Sequence, residues 1–321
     1  MKKKYGQKVY KLPVSLKATC PNRINRHTDD RSNDRIESGT YENYPLGCTF
    51  CGEKGTGFEN LSAELTVTEQ LMKNMSYIGS RYKAKKFAAY FQSYTNTFMD
   101  IDTFSSYMEE AFKIPQIVEV CISTRPDCVS DMYLEKIKAF ASKYEKDVVI
   151  ELGLQSTNHR TLKKINRGHS LAEFIDAANR IHNFGFEICT HMILNLPWDD
   201  DSDAVEGARI LSALGVEQIK LHSLYIEKGT ELCRQYENGE FTLISAEEYA
   251  LRAVKFLENL SPEICIQRLV SRAPEEDTVF CNWSMSWWKI RDMIEDIMEK
   301  EDTYQGKAAD YLNRDYYFYT K

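Results

Sequence analysis

Residues 148–197 read VVIELGLQSTNHRTLKKINRGHSLAEFIDAANRIHNFGFEICTHMILNLP. The stretch opens on a continuous apolar run, Val148–Gln155, and closes on a second, Glu187–Leu196. Runs of this kind, rich in β-branched residues, suit strands buried on both faces. Between them, Leu171, Phe174, Ile175, Ala178 and Ile181 recur at helical spacing. Ser170 and Glu173 have the spacing of a capping box, and Gly185 stands where a helix stops, so the pattern predicts a helix over 170–184. One strand, one helix and one strand in this order make a βαβ unit.

Working outward, the same alternation recurs. Lys86–Ser93 (KFAAYFQS), Ile117–Thr124 (IVEVCIST) and Gln218–Ile226 (QIKLHSLYI) read as strands, and Leu12–Ala18 as a first one. Helices are expected over Asp203–Leu214, ended by Gly215, over Ala250–Leu260 after a Ser245/Glu248 capping box, and over Trp283–Glu299. Such an order implies parallel strands joined by right-handed crossovers. An open doubly wound sheet would be expected to carry a G-x-G-x-x-G loop after its first strand, and none occurs. Instead Gln92, Thr124-Arg125, Gln155 and Asn195 fall at the ends of successive strands. A barrel collects its site at that rim. The expected fold is therefore α/β, a partial (β/α)6 TIM-like barrel with a C-terminal helical extension. It is expected to fill residues 1–300, with a cysteine-bearing loop at 20–60 and a tail over 301–321.

Composition sets limits. The 321 residues are 43% hydrophobic and 28% charged, as in a globular protein with a substantial core. Met1-Lys2-Lys3-Lys4 is followed by no apolar segment, and no run of about 20 apolar residues occurs, so neither a secretory leader nor a membrane span is expected and a cytoplasmic location follows by default. A net charge of −7 argues against non-specific coating of nucleic acid, though not against a local basic face.

The chemistry lies in the cysteines. Nine in a chain for which no leader is expected favour metal binding over a disulfide scaffold wherever they are closely spaced. Cys48-Thr49-Phe50-Cys51 is a C-x-x-C, and Cys20 lies 28 positions upstream of Cys48. Three thiolates fall one short of a structural zinc site or of an electron-transfer [4Fe–4S] cluster, each of which takes four protein ligands. On an iron–sulfur cluster they would leave one iron open to S-adenosylmethionine (SAM). An electron passed from cluster to sulfonium would then release a 5′-deoxyadenosyl radical, with the protein positioning the reactants. His27 could instead complete a Cys3His zinc site. The cysteines alone leave both readings open. Cys121, Cys128, Cys189, Cys233, Cys265 and Cys281 show no mutual metal spacing and read mostly as small buried residues.

Several segments in fixed order resemble the YtqA/YhcC group of radical SAM proteins. They are Cys20-Pro21-Asn22-Arg23, Gly47–Cys51, Tyr90–Thr97 (YFQSYTNT), Ser123–Cys128 (STRPDC), Glu151–Ser156 (ELGLQS), Asn166–His169 (NRGH) and His191–Pro197 (HMILNLP). Their order also resembles the radical SAM core of the catalytic subunit of Elongator. This chain departs from the group in a longer gap between the first two cysteines, an insertion at 24–46. The resemblance implies a [4Fe–4S] cluster on Cys20, Cys48 and Cys51, with SAM as co-substrate and an electron donor such as flavodoxin or ferredoxin.

For SAM it implies Phe50 near the adenine and Gln92 where many relatives carry Gly-Gly-Glu. It implies Thr124 and Arg125 at the close of the third strand with Arg125 toward the SAM carboxylate, Gln155 toward the ribose, and the backbone of the strand from His191 to Asn195 framing the adenine. Each has a plainer alternative. Arg125 could close its loop on Asp127, Gln155 could satisfy buried backbone, and His191 could be a hydrogen-bonded core histidine.

The resemblance further implies a tRNA substrate: conversion of carboxymethylaminomethyl-uridine toward aminomethyl-uridine at the wobble position. The glycine-like CH2 of that side chain is a plausible site of hydrogen abstraction, because its nitrogen and carboxylate stabilise a carbon radical. Arg81, Lys83, Lys85 and Lys86, then Lys163, Lys164 and Arg167, could follow phosphates or simply be solvated helix faces. Trp283, Trp287 and Trp288 could stack bases or pack the last helix. A radical SAM enzyme acting on a small molecule or peptide, and a non-enzymatic zinc-binding interaction protein, are the other readings.

Overall fold

A computed structural model describes residues 2–24, 47–52 and 60–312. Seven parallel strands form one sheet in the order β1 (Val9–Val14), β2 (Lys86–Phe91), β3 (Ile117–Thr124), β4 (Asp147–Gln155), β5 (Glu187–Ile193), β6 (Gln218–His222) and β8 (Cys265–Arg268). Two short antiparallel strands, β7 (Tyr225–Glu227) and β9 (Thr278–Cys281), stand apart from it. The helices are α1 (Lys2–Tyr5), α2 (Val67–Tyr82), α3 (Ile101–Lys113), α4 (Asp131–Tyr144), α5 (His159–Lys164), α6 (Leu171–Asn183), α7 (Asp201–Leu214), α8 (Glu231–Glu237), α9 (Ala246–Asn259) and α10 (Trp287–Lys300).

The sheet curls into an open barrel. Its outer face and the covering helices bury Leu12, Phe91, Phe104, Ile122, Phe174 and Phe256 in one continuous core. Its concave face carries a different set. Lys11, Tyr90, Cys121, Glu151, Cys189, His191 and Lys220 point inward from β1 to β6 in a polar layer where a closed barrel would have an apolar one. The edge strands β1 and β8 do not pair with each other, but Lys11 Nζ donates to Gln267 Oε1 across the gap at 2.9 Å.

Local signals set the helix starts. Ser170/Glu173, Ser245/Glu248 and Asp200/Asp203 each form reciprocal capping boxes, and Gly185 and Gly215 adopt left-handed φ values of 77° and 69°.

Four expectations shift. The first strand is Val9–Val14, not Leu12–Ala18, because Ser15 N–H turns from the sheet to Gln70 Oε1 on α2. Residues 218–226 are two strands, broken where Leu224 N–H goes to Asn195 Oδ1 and Ser223 joins Ser271 and Asn282. A seventh parallel strand, Cys265–Arg268, follows α9. The last helix starts at Trp287, since residues 282–284 are left-handed (φ 49–57°). The 24–46 insertion past Ile24, His27 and the tail past 312 lie outside the described residues.

Among the described residues no helix is long and apolar enough to cross a membrane.

Candidate active site

Three loops meet at the C-terminal rim of the barrel. The turn Pro21–Arg23 follows β1, residues 47–52 carry the C-x-x-C, and the turn at 165–168 follows α5. They are tied together by backbone. Gly47 N–H donates to Asn22 O (2.8 Å), Thr49 N–H to Ile165 O (3.0 Å), and Leu232 N–H of α8 to Thr49 O (2.8 Å). Side-chain amides complete the tie: Asn166 Nδ2 donates to Gly47 O at 2.7 Å, and Asn22 Nδ2 to Asn166 O at 2.6 Å. Gly168 takes φ 74°, and a Cβ there would stand 2.4 Å from Asn22 Oδ1.

This knot brings Cys20, Cys48 and Cys51 to the wall of one cavity. Each sulfur faces its own arginine. Arg125 Nη1 lies 3.8 Å from Cys20 Sγ, Arg167 Nη1 3.5 Å from Cys48 Sγ, and Arg23 Nη2 3.7 Å from Cys51 Sγ. Asn22 Nδ2 adds a second donor to Cys48 at 3.7 Å. Burial and the adjacent Cys48 push the Cys51 thiol up to about 11, while Arg23 pulls it back. Sulfurs gathered with no fourth protein ligand among the described residues, each with a cationic N–H donor, fit a cluster that carries net negative charge and leaves one iron free.

The other expected residues divide. Phe50, Gln92, Thr124, Arg125, Gln155 and His191 line the same cavity. Phe50 also packs on the apolar group of Leu162, Ile165 and Ile193. Gln155 follows a register slip in β4 and holds φ 75°, a conformation that L side chains rarely adopt and that clusters at functional sites. Thr124 Oγ1 shares a 2.5 Å hydrogen bond with Thr97 Oγ1.

Arg125 is committed differently from its expected role at the SAM carboxylate. Its Nε and Nη2 clasp Asp127, both at 2.8 Å, and Nη1 turns to Cys20. Asn195 is not in the cavity wall; its Oδ1 accepts from Leu224 N–H at 2.6 Å, holding the break between β6 and β7. Arg167 is no surface cation: it is buried, with Nη2 on Gly153 O at 2.7 Å. Of the further cysteines, Cys121, Cys189 and Cys233 are buried, whereas Cys128 and Cys281 are part-exposed and Cys265 is exposed.

Sequence reasoning missed the arginines' roles and the charged layer beneath the cavity. Glu151 is fully buried, with Oε1 taking Lys11 Nζ at 2.6 Å and Oε2 taking Lys220 Nζ at 2.5 Å and His191 Nε2 at 2.8 Å. Burial alone would raise this carboxyl; Lys11 and Lys220 outweigh it and hold it well below the usual carboxylate range. Burial also lowers His191 to about 4, so it is neutral at neutral pH and donates from Nε2 to the carboxylate. Glu151 could have been suspected from its place inside an otherwise apolar strand.

A matching family model covers residues 45–211 and is described as the radical SAM superfamily; a second, the radical SAM C-terminal domain, covers 216–300. The chain belongs to the radical SAM superfamily. It is therefore a SAM-dependent enzyme with a [4Fe–4S] cluster.

Relatives match over nearly the full chain. An uncharacterised protein of Methanocaldococcus jannaschii, MJ0486, is 33% identical over 95% of this chain and 89% of its own. YtqA of Bacillus subtilis is 30% identical (96% and 90%), and YhcC of Escherichia coli 32% (95% and 92%). A tRNA uridine(34) acetyltransferase of Methanocaldococcus infernus is 27% identical over 50% of this chain and 30% of that protein. Among solved structures, the Methanocaldococcus infernus Elp3 shares the fold, with a TM-score of 0.63 and 18% identity over 75% of this chain and 61% of that one.

Proposed function

We propose that Cys20, Cys48 and Cys51 hold the [4Fe–4S] cluster, and that the enzyme matures the C5 side chain of a wobble uridine in tRNA, from carboxymethylaminomethyl-uridine toward aminomethyl-uridine. When bound, the cluster and SAM supply a hydrogen-abstracting 5′-deoxyadenosyl radical. The chain's own residues do the rest. Arg23, Arg125 and Arg167 would balance the charge of the sulfur-bound cluster. Phe50, Gln92, Thr124 and Gln155 would seat SAM.

The observation that carries the substrate reading is a continuous path out of the cofactor cavity. Tyr90, Gln92 and His191 belong both to its wall and to that of a second cavity of about 600 Å3 in the barrel lumen. The second cavity reaches the surface at Gln267, Arg268 and Arg272, which also line an outer groove with Trp287 and Arg291. Trp287 exposes its ring there, Trp288 is exposed beside it with ring centroids 6.0 Å apart, and Arg291 lies over Trp287 at 5.6 Å. Exposed indoles among guanidinium groups suit an unstacked base and its phosphate. Trp283 instead packs on Tyr249 and Phe280. The match to a protein named as a tRNA uridine(34) acetyltransferase supports the same substrate class.

The test compares tRNA nucleosides from a strain lacking the gene with those of its parent. Accumulated carboxymethylaminomethyl-uridine is the expected result. An unchanged wobble-uridine profile would favour a small-molecule or peptide substrate.

A further inference from the structure

The lumen cavity has a charge pattern that neither the cluster nor SAM explains. Lys11 and Lys220 share one acid, Glu151, so that buried group of three retains a positive charge. Arg268, at the end of β8, stands at the cavity mouth and has no ion-pair or hydrogen-bond partner among the described residues. Between them lies His222, its ring stacked on His191 with centroids 5.2 Å apart. His222 Nε2 is buried and has no hydrogen-bond partner. A buried nitrogen left unsatisfied is costly unless something arrives to bond it. Excess positive charge within low-dielectric walls favours an anion, and a planar guanidinium fork matches a carboxylate better than it matches a point charge.

We propose that Arg268 and His222 form a receptor for a carboxylate carried by the substrate. Arg268 grips it bidentately at the mouth, and His222 Nε2 donates a third hydrogen bond from the lumen wall. Resting on the wobble-uridine reading, this assigns the group recognised: the carboxylate of the carboxymethylaminomethyl side chain. The enzyme would thereby tell its substrate from its product, which lacks that carboxylate. The CH2 is one bond from that carboxylate, and the lumen shares His191 and Tyr90 with the wall of the cofactor cavity.

The test is binding to the cluster-loaded protein with SAM present. The probes are anticodon stem-loops bearing carboxymethylaminomethyl-uridine or aminomethyl-uridine, and the two free nucleosides. The stem-loops carry the same phosphates, so their difference isolates the carboxylate. Wild type is expected to prefer the carboxylate-bearing stem-loop by roughly tenfold or more. R268Q and H222F should each erase most of that preference, and R268K should keep part of it. Arg268 is exposed, so its variants should fold, and melting curves check this. An undiminished preference in R268Q and H222F would overturn the receptor while leaving the tRNA reading standing. Failure to bind either stem-loop, with Arg268-dependent binding of the carboxylate nucleoside, would uphold the receptor and overturn the tRNA reading. No preference for the carboxylate in either format would overturn the receptor.

Discussion

Arg167 links the loop of Cys48 to the barrel: its Nη1 stands 3.5 Å from Cys48 Sγ while its Nη2 donates to Gly153 O at 2.7 Å. His169 Nε2 reaches the same carbonyl at 3.1 Å, so the turn after α5 is docked on β4 by two side chains. A cation bonded to a thiolate favours the more negative, reduced state of a cluster held there. Arg167→Gln should therefore lower the midpoint potential by tens of millivolts, the equivalent of about 1–2 kcal/mol. Potentiometric titration followed by electron paramagnetic resonance would measure it. An unmoved potential would mean that Arg167 only braces the loop.

The space for that arginine comes from glycine. A Cβ on Gly153 would lie 2.7 Å from Arg167 Nη2 and 2.8 Å from Gln155 Nε2. Gly153→Ala should displace both side chains and reduce cluster retention, with little change in melting temperature. Gly168→Ala meets Asn22 and also strains a left-handed residue, so a stability loss of about 1–2 kcal/mol is expected. Iron content and thermal melts of the two variants separate these effects.

Glu151 is the hub of the lumen, so removing its charge leaves Lys11 and Lys220 buried without an anion. Glu151→Gln should destabilise the fold by about 3 kcal/mol or more. Denaturant unfolding would show it. A shift below about 1 kcal/mol would mean that water or counter-ions reach the layer freely.

The fold should also be acid-sensitive through its histidines. Burial lowers His191 to about 4 and, with Arg167 nearby, His169 to about 3; burial and His191 hold His222 well below its ordinary range. In the unfolded chain each titrates near the ordinary value of about 6.5. Between these values the unfolded state binds more protons, so stability is fully present above about 6.5 and is lost as pH falls toward 4. Asp199, raised by burial to about 6, works in the opposite direction over part of that window. His191→Gln should flatten the slope of unfolding free energy against pH by about one proton, or about 1.4 kcal/mol per pH unit at most. An unchanged slope would show that His191 is charged in the fold.

How much could be read from residues alone follows from the range of the forces involved. The capping boxes at Ser170 and Ser245 and the stops at Gly185 and Gly215 are local, and they stand where the sequence puts them. The apolar strands β2 to β5 are equally plain. Cys265–Arg268 was hidden because an edge strand with part-exposed side chains has no apolar run to reveal it. Gln92, Thr124 and Gln155 reach the cavity because strand ends must meet at a barrel rim. Asn195 does not, because its amide oxygen is drawn to a backbone N–H across a loop, a pairing with no sequence signature. Asn166-Arg167-Gly168-His169 carries part of the family resemblance, but what it touches is not local: its role depends on the tertiary approach of Asn22 and Cys48.

Cys20, Cys48 and Cys51, with no fourth protein ligand, are proposed to hold a SAM-cleaving cluster. Anaerobic reconstitution with iron and sulfide, followed by reduction in the presence of SAM, tests it through 5′-deoxyadenosine release. Wild type and Cys121→Ala should assemble the cluster and release the nucleoside, and Cys20→Ala, Cys48→Ala and Cys51→Ala should each fail. A Cys20→Ala protein that keeps a full cluster and cleaves SAM, or a wild type that retains one zinc and cleaves none, would contradict it.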